Sequence, residues 1–599
     1  MKEERRQIVW DSLAVFYVIV GLQVATQIFA WVFQYHPSLG VNIDGIYPFW
    51  KIIPWYIDWC FVYPRELQLS ILGLGAVVFV LFFFTFELPK MTLGKKEKES
   101  DLYGSSRFAE KKDIIRAKLL PKNKKEKLKD DAVIVGGWIE KHWWGKKTFH
   151  LLRHSGPEHI LMMAPTRSGK GVSVVIPTLL SWKESLVVTD LKGELWACTS
   201  GWRRNYAKNK VLKFEPASDN SVHWNPLDSI RMGPKEIGDA QNIAQLIIDP
   251  DGEGLKDHWM KTANSLITGI ILYLLHEEKD FGNGVATLPR ILTTLSQAEQ
   301  EKFTHRVDGT KCSLWDAMMS YEGMKGNVSA QAIFETASDI SATPPEERGS
   351  IISTAKTALT LYRDPIVAQN ISSSDFKVKD LMNSESPVSL YVITQPNDKD
   401  RLRPLVRVII NGITRLLADR MVYREGRAFG DYKHRMLLML DEFPSLGRLP
   451  IIEESLAYVA GYGIKCCLIC QDMTQLRKTY GQQESISANC HIHIVFAPNT
   501  TDTAEYISKR IGRTTIVKQE GEGSHQHTQY YSRDLLTPDE VTRLKQVNFK
   551  SNGKVDEYGE IIVMVAGCPP IKGNQPLYYV DQFFIPRARI PSPEMSDRL

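Results

Sequence analysis

The groups best suited by type to handle a phosphate are a lysine in a glycine turn, an Asp-Glu pair and a glutamine. Each follows a run of apolar residues. The first lies in "APTRSGKGVSVVIP", Ala164 to Pro177. A strand, a turn with Gly169 and Lys170, then a helix can hold anionic oxygens. Backbone N–H groups and the helix N-terminus cradle them while the lysine reaches the outer phosphates. Against the general pattern G-x-x-x-x-G-K-[ST], Ala164 replaces the first glycine and Gly171 the hydroxyl residue that ordinarily ligates Mg²⁺. Ser173, Ser168 or an added water would have to compensate. The competing reading is a Gly/Ser turn before a helix that happens to contain Lys170.

The second group is Asp441-Glu442 in "MLLMLDEFPSLG". An acidic residue ending a buried strand can serve the Mg²⁺ shell, directly or through water, and an adjacent glutamate can orient and activate water. Two solvent-facing acids at a strand end are the plainer alternative. The third is Gln471, ending "CCLICQ". A carboxamide there can hydrogen-bond both a γ-phosphate and the attacking water, or simply terminate a strand.

These groups need a scaffold. From Leu151 onward short apolar runs alternate with longer amphipathic ones, the pattern of an α/β sheet. Strands are expected at His159–Pro165, Glu184–Asp190, Ser386–Thr394, Arg435–Glu442, Ile464–Asp472 and Ile492–Pro498. Between Asp228 and about Met382 the pattern is almost wholly helical. The expected organisation is therefore a nucleotide-binding α/β domain over 151–228 and 383–585, interrupted by an all-α domain over 229–382. A tail follows at 586–599. Residues 88–150, with "KKEKE" and "KNKKEKLKDD", read as a basic juxtamembrane linker and docking segment, in which "LYGSSRFA" docks on a folded body.

The N-terminus sets the class. Ser12–Phe33 and Leu67–Phe86 carry no charge, and roughly 20 residues cross a ~30 Å hydrocarbon core. A charge at mid-bilayer costs about 2.5–3.5 kcal/mol, so the spans end near Asp11 and Glu87. The first stretch is too long for the apolar region of a signal peptide, and no A-x-A site follows. Lys2, Arg5 and Arg6 precede the first span, and Lys90, Lys95, Lys96 and Lys98 follow the second. The loop 34–66 has only Lys51 and Arg65, so both termini are expected in the cytoplasm and the loop in the periplasm. Its Trp50, Trp55, Tyr56, Trp59 and Tyr63 suit an interfacial belt or a partner surface.

Composition excludes several classes. A net charge of +5 over 599 residues does not force nucleic-acid binding. Eight cysteines are too sparse for a disulfide scaffold. Cys466, Cys467 and Cys470 lie in a strand run with no matching pair elsewhere, and His491/His493 and His525/His527 have no third ligand, so no zinc site is expected.

In order along the chain, "APTRSGKGVSVVIPTLLSW", "VVTDLKGELW", "WNPLDSI", "LLMLDEFPSLG", "GYGIKCCLICQDMTQL" and "RDLLTPDEV" resemble the signature blocks of the TraG/VirD class. These are the type IV secretion coupling proteins, or conjugative coupling ATPases. The resemblance runs from the membrane spans to about Phe584 and includes "YGSSRFA". It implies a RecA-like P-loop ATPase domain with an inserted all-α domain behind a two-helix transmembrane region. It further implies a homo-hexamer around a channel in a bacterial inner membrane, working with inner-membrane components of the secretion system. ATP with Mg²⁺ would drive delivery of DNA–relaxase complexes, effector proteins or both. By position, Lys170 grips phosphate, Asp441 serves the Mg²⁺ shell, Glu442 activates water and Gln471 senses the γ-phosphate. Pro165, Thr166, Arg167, Ser168, Gly169, Gly171 and Val172 form the loop around the nucleotide, and Asp190 and Lys192 lie near it.

An arginine finger from a neighbouring subunit is not evident, since "AYVAGYGIK" has no arginine; Arg510 and Arg513 in "SKRIGR" are the substitutes, or they pair with local carboxylates. Any DNA contact is expected to be backbone-directed and salt-sensitive. A FtsH-like protease is excluded because "HEEKD" lacks the second histidine of H-E-x-x-H. A FtsK-like DNA pump would need more spans and a C-terminal DNA reader. A substrate receptor or assembly scaffold, with ATP binding in a structural role, is the remaining alternative to a motor.

Overall fold

The computed structural model describes residues 2–83, 104–122, 132–142, 145–323, 329–419, 421–424, 427–520 and 527–599. Lys90, Lys95, Lys96, Lys98, His525, the end of the second apolar stretch and most of the Lys-rich runs lie outside the described residues. The chain divides into two compact units, Met1–Tyr103 and Gly104–Leu599.

In the first unit, helices Lys2–Val32 and Pro64–Phe82 contain stretches long and apolar enough to cross a membrane. The second helix begins at Pro64, before the apolar run at Leu67, because proline's fixed φ suits a first helical position and its missing N–H costs nothing there. The two helices meet where side chains are absent: Gly21 lies against Leu74 and Val78, and Gly73 against Ile28. Trp55 is buried, its ring 5.4 Å from Phe29 and 5.2 Å from Tyr47, and Trp59 stacks 6.0 Å from Phe29. These two indoles therefore close the loop onto the first helix rather than serve as a belt; Trp50, Tyr56 and Tyr63 stay exposed.

The second unit is built on an 11-stranded sheet. Its strands are β1 (Val133–Lys141), β2 (Lys147–His154), β3 (His159–Met163), β4 (Ser185–Asp190), β5 (Lys210–Phe214) and β6 (Val388–Ile393). They continue with β7 (Met436–Leu440), β8 (Ile464–Cys470), β9 (Cys490–Val495), β10 (Glu560–Val565) and β11 (Ile571–Asn574). The spatial order is β2-β1-β11-β10-β9-β3-β8-β7-β4-β6-β5. From β9 to β5 every pairing is parallel; from β9 to β2 every pairing is antiparallel.

The parallel strands are covered on both faces, which is why they read as unbroken apolar runs. Leu161, Leu438 and Leu468 point into the core shared with the helical insert, while Ile160, Leu437 and Ile469 point into a second core on the opposite face. The strands β1 and β2 correct the reading of 88–150 as linker. "VIVGG" is fully buried, and the hairpin extends the sheet by pairing β1 with β11. Charged neighbours on both sides hide this short apolar run in the sequence.

Between β5 and β6 the chain forms the all-α domain. Helix His258–Phe281 is its axis, flanked by Glu236–Ile248, Ala330–Ala342 and Pro345–Ala358. Asp257 caps it by accepting from Met260 N at 2.8 Å, and Gly282 ends it in the left-handed conformation, φ +66°. The segment is not wholly helical, since Phe303–Thr304 pairs with Lys311–Cys312 in a small ribbon. The chain then returns through β6 to helix Lys399–Leu417. At the far end the tail runs along β5: Val211 N donates to Asp597 Oδ2 (2.8 Å), Asp597 N to Val211 O (2.9 Å), and Lys213 N to Ser596 Oγ (2.7 Å).

Candidate nucleotide site

Three adjacent strands, β3, β8 and β7, deliver the site at their carboxyl ends, where open α/β sheets bind ligands. The strand β3 holds its pairing to the last residue, with Ala164 N donating to Cys470 O at 2.9 Å. The chain then turns through buried Pro165 and exposed Thr166 and Arg167. Arg167 and Gly169 take positive φ, 63° and 90°; only the glycine does so without strain. Lys170 opens a helix whose first stretch, Gly171–Val175, is a wide π-turn before Ile176–Leu179 becomes α-helical. Pro177 explains the widening, because it has no N–H to give Ser173 O and its ring would crowd that carbonyl. At the other end Arg203 Nη1 donates to Leu179 O (3.1 Å) and Arg587 Nη1 to Leu180 O (2.6 Å). These cations satisfy the helix C-terminus and leave its positive end toward the loop.

Lys170 Nζ donates to Asp441 Oδ1 at 2.6 Å. Asp441 is fixed from behind: its N–H donates to Thr189 Oγ1 at 2.8 Å, and its Oδ1 also accepts from Glu442 N at 3.0 Å. Glu442 adopts φ +49°, a costly conformation for a side-chain-bearing residue, and so leaves the strand direction at that point. Its Oε1 accepts from Gln471 Nε2 (3.2 Å) and its Oε2 from Lys399 Nζ (3.0 Å). Burial raises the Glu442 pKa, but the Lys399 bond and charge, with Lys170 and Gln471, outweigh it and hold the carboxyl below its ordinary value. It is therefore ionised at neutral pH. Gln471 itself is placed by its backbone, which donates to Gln475 Oε1 at 2.9 Å.

The structure thus gathers Lys170, Asp441, Glu442 and Gln471 into one constellation and adds Lys399, which the sequence reading missed. The remaining loop groups divide by role. Ser173 is fully buried and its hydroxyl donates to Gly169 O at 2.6 Å, stapling the turn. Ser168 Oγ is buried with no hydrogen-bond partner among the described residues. Val172 O accepts from Tyr578 N at 3.3 Å, so the segment after β11 braces the loop. Asp190 is buried, and its carboxylate accepts from Trp196 N (2.9 Å) and Lys192 N (3.3 Å), capping the next helix. Burial raises its pKa against those N–H groups. Only the exposed Lys192 side chain of that pair is free to turn to a ligand.

Arg510 and Arg513 stand elsewhere in the same chain. Arg510 donates to Tyr506 OH (2.8 Å), rests 3.0 Å from His493 Nε2, and lines a cavity with Ser105, Arg107 and His491 at the opposite end of β9. Arg513 Nε donates to Asp534 Oδ1 at 3.1 Å, the local carboxylate pairing named as its alternative role.

The donor set suits a hard divalent cation at the phosphates. Asp441 offers a carboxylate now neutralised by an ammonium that phosphate would attract away, and the unpartnered Ser168 hydroxyl is an oxygen in want of a contact.

The profile of the family described as "Type IV secretory system Conjugative DNA transfer" matches residues 96–598. A conjugal transfer protein TraG of Escherichia coli is 48% identical over 97% of this chain and 93% of its own length. The VirD4 protein of Rhizobium radiobacter is 28% identical over 90% of this chain and 71% of its own. Among solved structures, the bacterial conjugative coupling protein TrwB lacking its first 70 residues, in a sulphate complex, superposes with a TM-score of 0.54 at 15% identity. That match covers 82% of this chain and 97% of the truncated TrwB chain. TrwB bound to a non-hydrolysable ATP analogue gives 0.53 at 15% identity, over 81% and 96%. The fold is accordingly the RecA-like P-loop ATPase fold with an all-α domain. On this ground the chain belongs to the type IV secretion family of conjugative DNA-transfer coupling proteins.

Proposed function

We propose that this protein is an inner-membrane ATPase that couples ATP binding and hydrolysis to the recruitment and delivery of DNA–relaxase complexes, effector proteins or both to a type IV secretion channel. The observation that carries the catalytic half is the convergence of Lys170, Asp441, Glu442 and Gln471 at the ends of three neighbouring strands. The structural neighbour TrwB is solved with an ATP analogue bound, which supports a nucleoside triphosphate as the ligand.

On this reading the loop N–H groups and Lys170 bind the β- and γ-phosphates, and Lys170 leaves Asp441 to do so. Asp441, with the buried Ser168 hydroxyl, would hold Mg²⁺, which when bound would supply charge neutralisation at the phosphate oxygens. Glu442 accepts a proton from water as the water oxygen bonds the γ-phosphorus and the bond to the β–γ bridging oxygen breaks. Gln471, bonded to Glu442, orients that water. The two apolar helices anchor the protein, with both termini cytoplasmic, and copies assemble as a hexamer around the path of the cargo.

The test is hydrolysis and transfer measured together. Lys170→Ala is expected to lose nucleotide binding and conjugative or effector transfer; full ATP turnover in this variant would refute the site. Continued export by Glu442→Gln with hydrolysis abolished would instead establish ATP binding as structural. Relaxase with DNA, or effectors alone, in complexes crosslinked in cells identifies the cargo.

A further inference from the structure

Helix Lys399–Leu417 touches the site with its first turn and the all-α domain with the next ones. Lys399, Arg403 and Arg407 recur at i, i+4, on one helix face. Lys399 holds Glu442 Oε2, and Arg403 Nη2 pairs with Asp251 Oδ1 at 2.7 Å. Arg407 is buried and donates to Leu446 O (3.0 Å) and Arg448 O (2.9 Å), just downstream of Glu442. Its other nitrogen reaches Asp249 O at 3.4 Å. Beside this face, Arg401 Nη1 donates to Asp364 Oδ2 at 2.7 Å, so the helix is tied to a second point of the helical domain. The two loops that meet here are also bonded directly, Arg448 N donating to Asp251 O at 3.0 Å. Gly252, at φ +75°, comes so close to Arg448 O that a Cβ would collide with it.

We propose that Lys399 is a positioning residue for Glu442, mounted on a helix braced against the all-α domain, so that hydrolysis at Glu442 depends on where that domain holds the helix. The inference rests on Glu442 being the base. A glutamate side chain swings freely unless both ends are held. Here the backbone is fixed at positive φ, and Gln471 and Lys399 take one carboxylate oxygen each. Each oxygen keeps a second lone-pair direction for water. Losing one anchor restores rotation, and a displacement of about 1 Å at a reacting group costs roughly a hundredfold in rate.

The test uses the full-length protein in lipid nanodiscs, with steady-state ATP hydrolysis and binding of a fluorescent ATP analogue. Lys399→Met is expected to lower kcat about 10–100-fold while KM and analogue affinity stay within about twofold. Lys399→Arg is expected to restore most of kcat, because the guanidinium keeps the ion pair. The double variant Arg401→Gln/Arg403→Gln, which leaves Glu442 untouched, is expected to lower kcat about 3–10-fold. A raised KM with unchanged kcat in Lys399→Met makes the lysine a phosphate ligand and overturns the proposal. So does an unchanged or raised kcat, or a loss that Lys399→Arg does not rescue. An unchanged double variant overturns the link to the all-α domain. Glu442→Gln is the control: if it hydrolyses ATP normally, the base assignment itself has failed. An inactive Glu442→Gln beside a fully active Lys399→Met sinks only the present inference.

Discussion

The strand β8 carries a polar cluster at each end, and the two are built on opposite rules. At its start Lys465 is fully buried, donating to Gly156 O at 2.8 Å and lying 2.6 Å from His154 Nδ1. Arg435 beside it donates to Ser155 O (3.0 Å) and Gly156 O (3.2 Å). Burial, then the charges of Lys465 and Arg435, push His154 down to about 2, so the imidazole is neutral and accepts. Past the other end of β8, Lys170, Asp441, Lys399 and Glu442 keep side-chain exposures of 17%, 21%, 27% and 19%. Those groups pair with one another through side chains that rotate. Carbonyl partners, by contrast, cannot leave. A buried cation satisfied by backbone holds a fold, whereas half-open ion pairs can exchange one partner for a phosphate.

The widest separation between the two ends is expected from Glu442→Gln. Removing a general base costs about 10²–10⁴ in rate, with little change in the thermal midpoint; phosphate release and a melting curve report the two. Lys465→Met should do the reverse, losing about 1–3 kcal/mol of stability as its acceptors go unpaired. Turnover per folded molecule should stay near wild type. A Lys465→Met protein that is stable but slow would erase the contrast.

Acid should act through the buried histidines. His154, held down to about 2, and His159 and His493, down to about 4, are all depressed by burial first. The unfolded chain binds protons at a pKa near 6.5 that the folded one refuses. Their stability contribution is therefore complete above about pH 6.5 and falls by about 1.4 kcal/mol per pH unit per group as pH drops toward the folded values. Thermal midpoints at pH 7.5 and 5.5 measure it, and an unchanged midpoint would contradict the buried environment. The smallest effect separates two loop serines. Ser168→Ala should raise the Mg²⁺ concentration for half-maximal hydrolysis about fivefold, the worth of one hydrogen bond, without changing stability. Ser173→Ala should lower stability and leave that concentration alone.

What the sequence made legible were groups that end apolar strands. Lys170, Asp441, Glu442 and Gln471 each follow a run that a parallel sheet buries on both faces, so their positions could be read from the point where the run stops. Lys399 escaped because it sits in "NDKDRLRP", a charged run indistinguishable from a solvated helix start. Only a contact between residues far apart in sequence gives it a role. Asp190 shows the limit of that rule: it also ends a buried strand, and there the following helix takes its carboxylate as a cap. The β1–β2 hairpin lay hidden beside lysine runs, and its pairing with β11 joins segments from opposite ends of the domain.

The tail beside β5 has a consequence for how copies of this protein can associate. An outer parallel strand with unpaired N–H and C=O groups is a template on which foreign chains can stack. Asp597 occupies both backbone groups of Val211, and Ser596 takes the N–H of Lys213. Recruitment of a further strand at these positions must first peel the tail away, so aggregation along this margin carries a built-in kinetic obstacle.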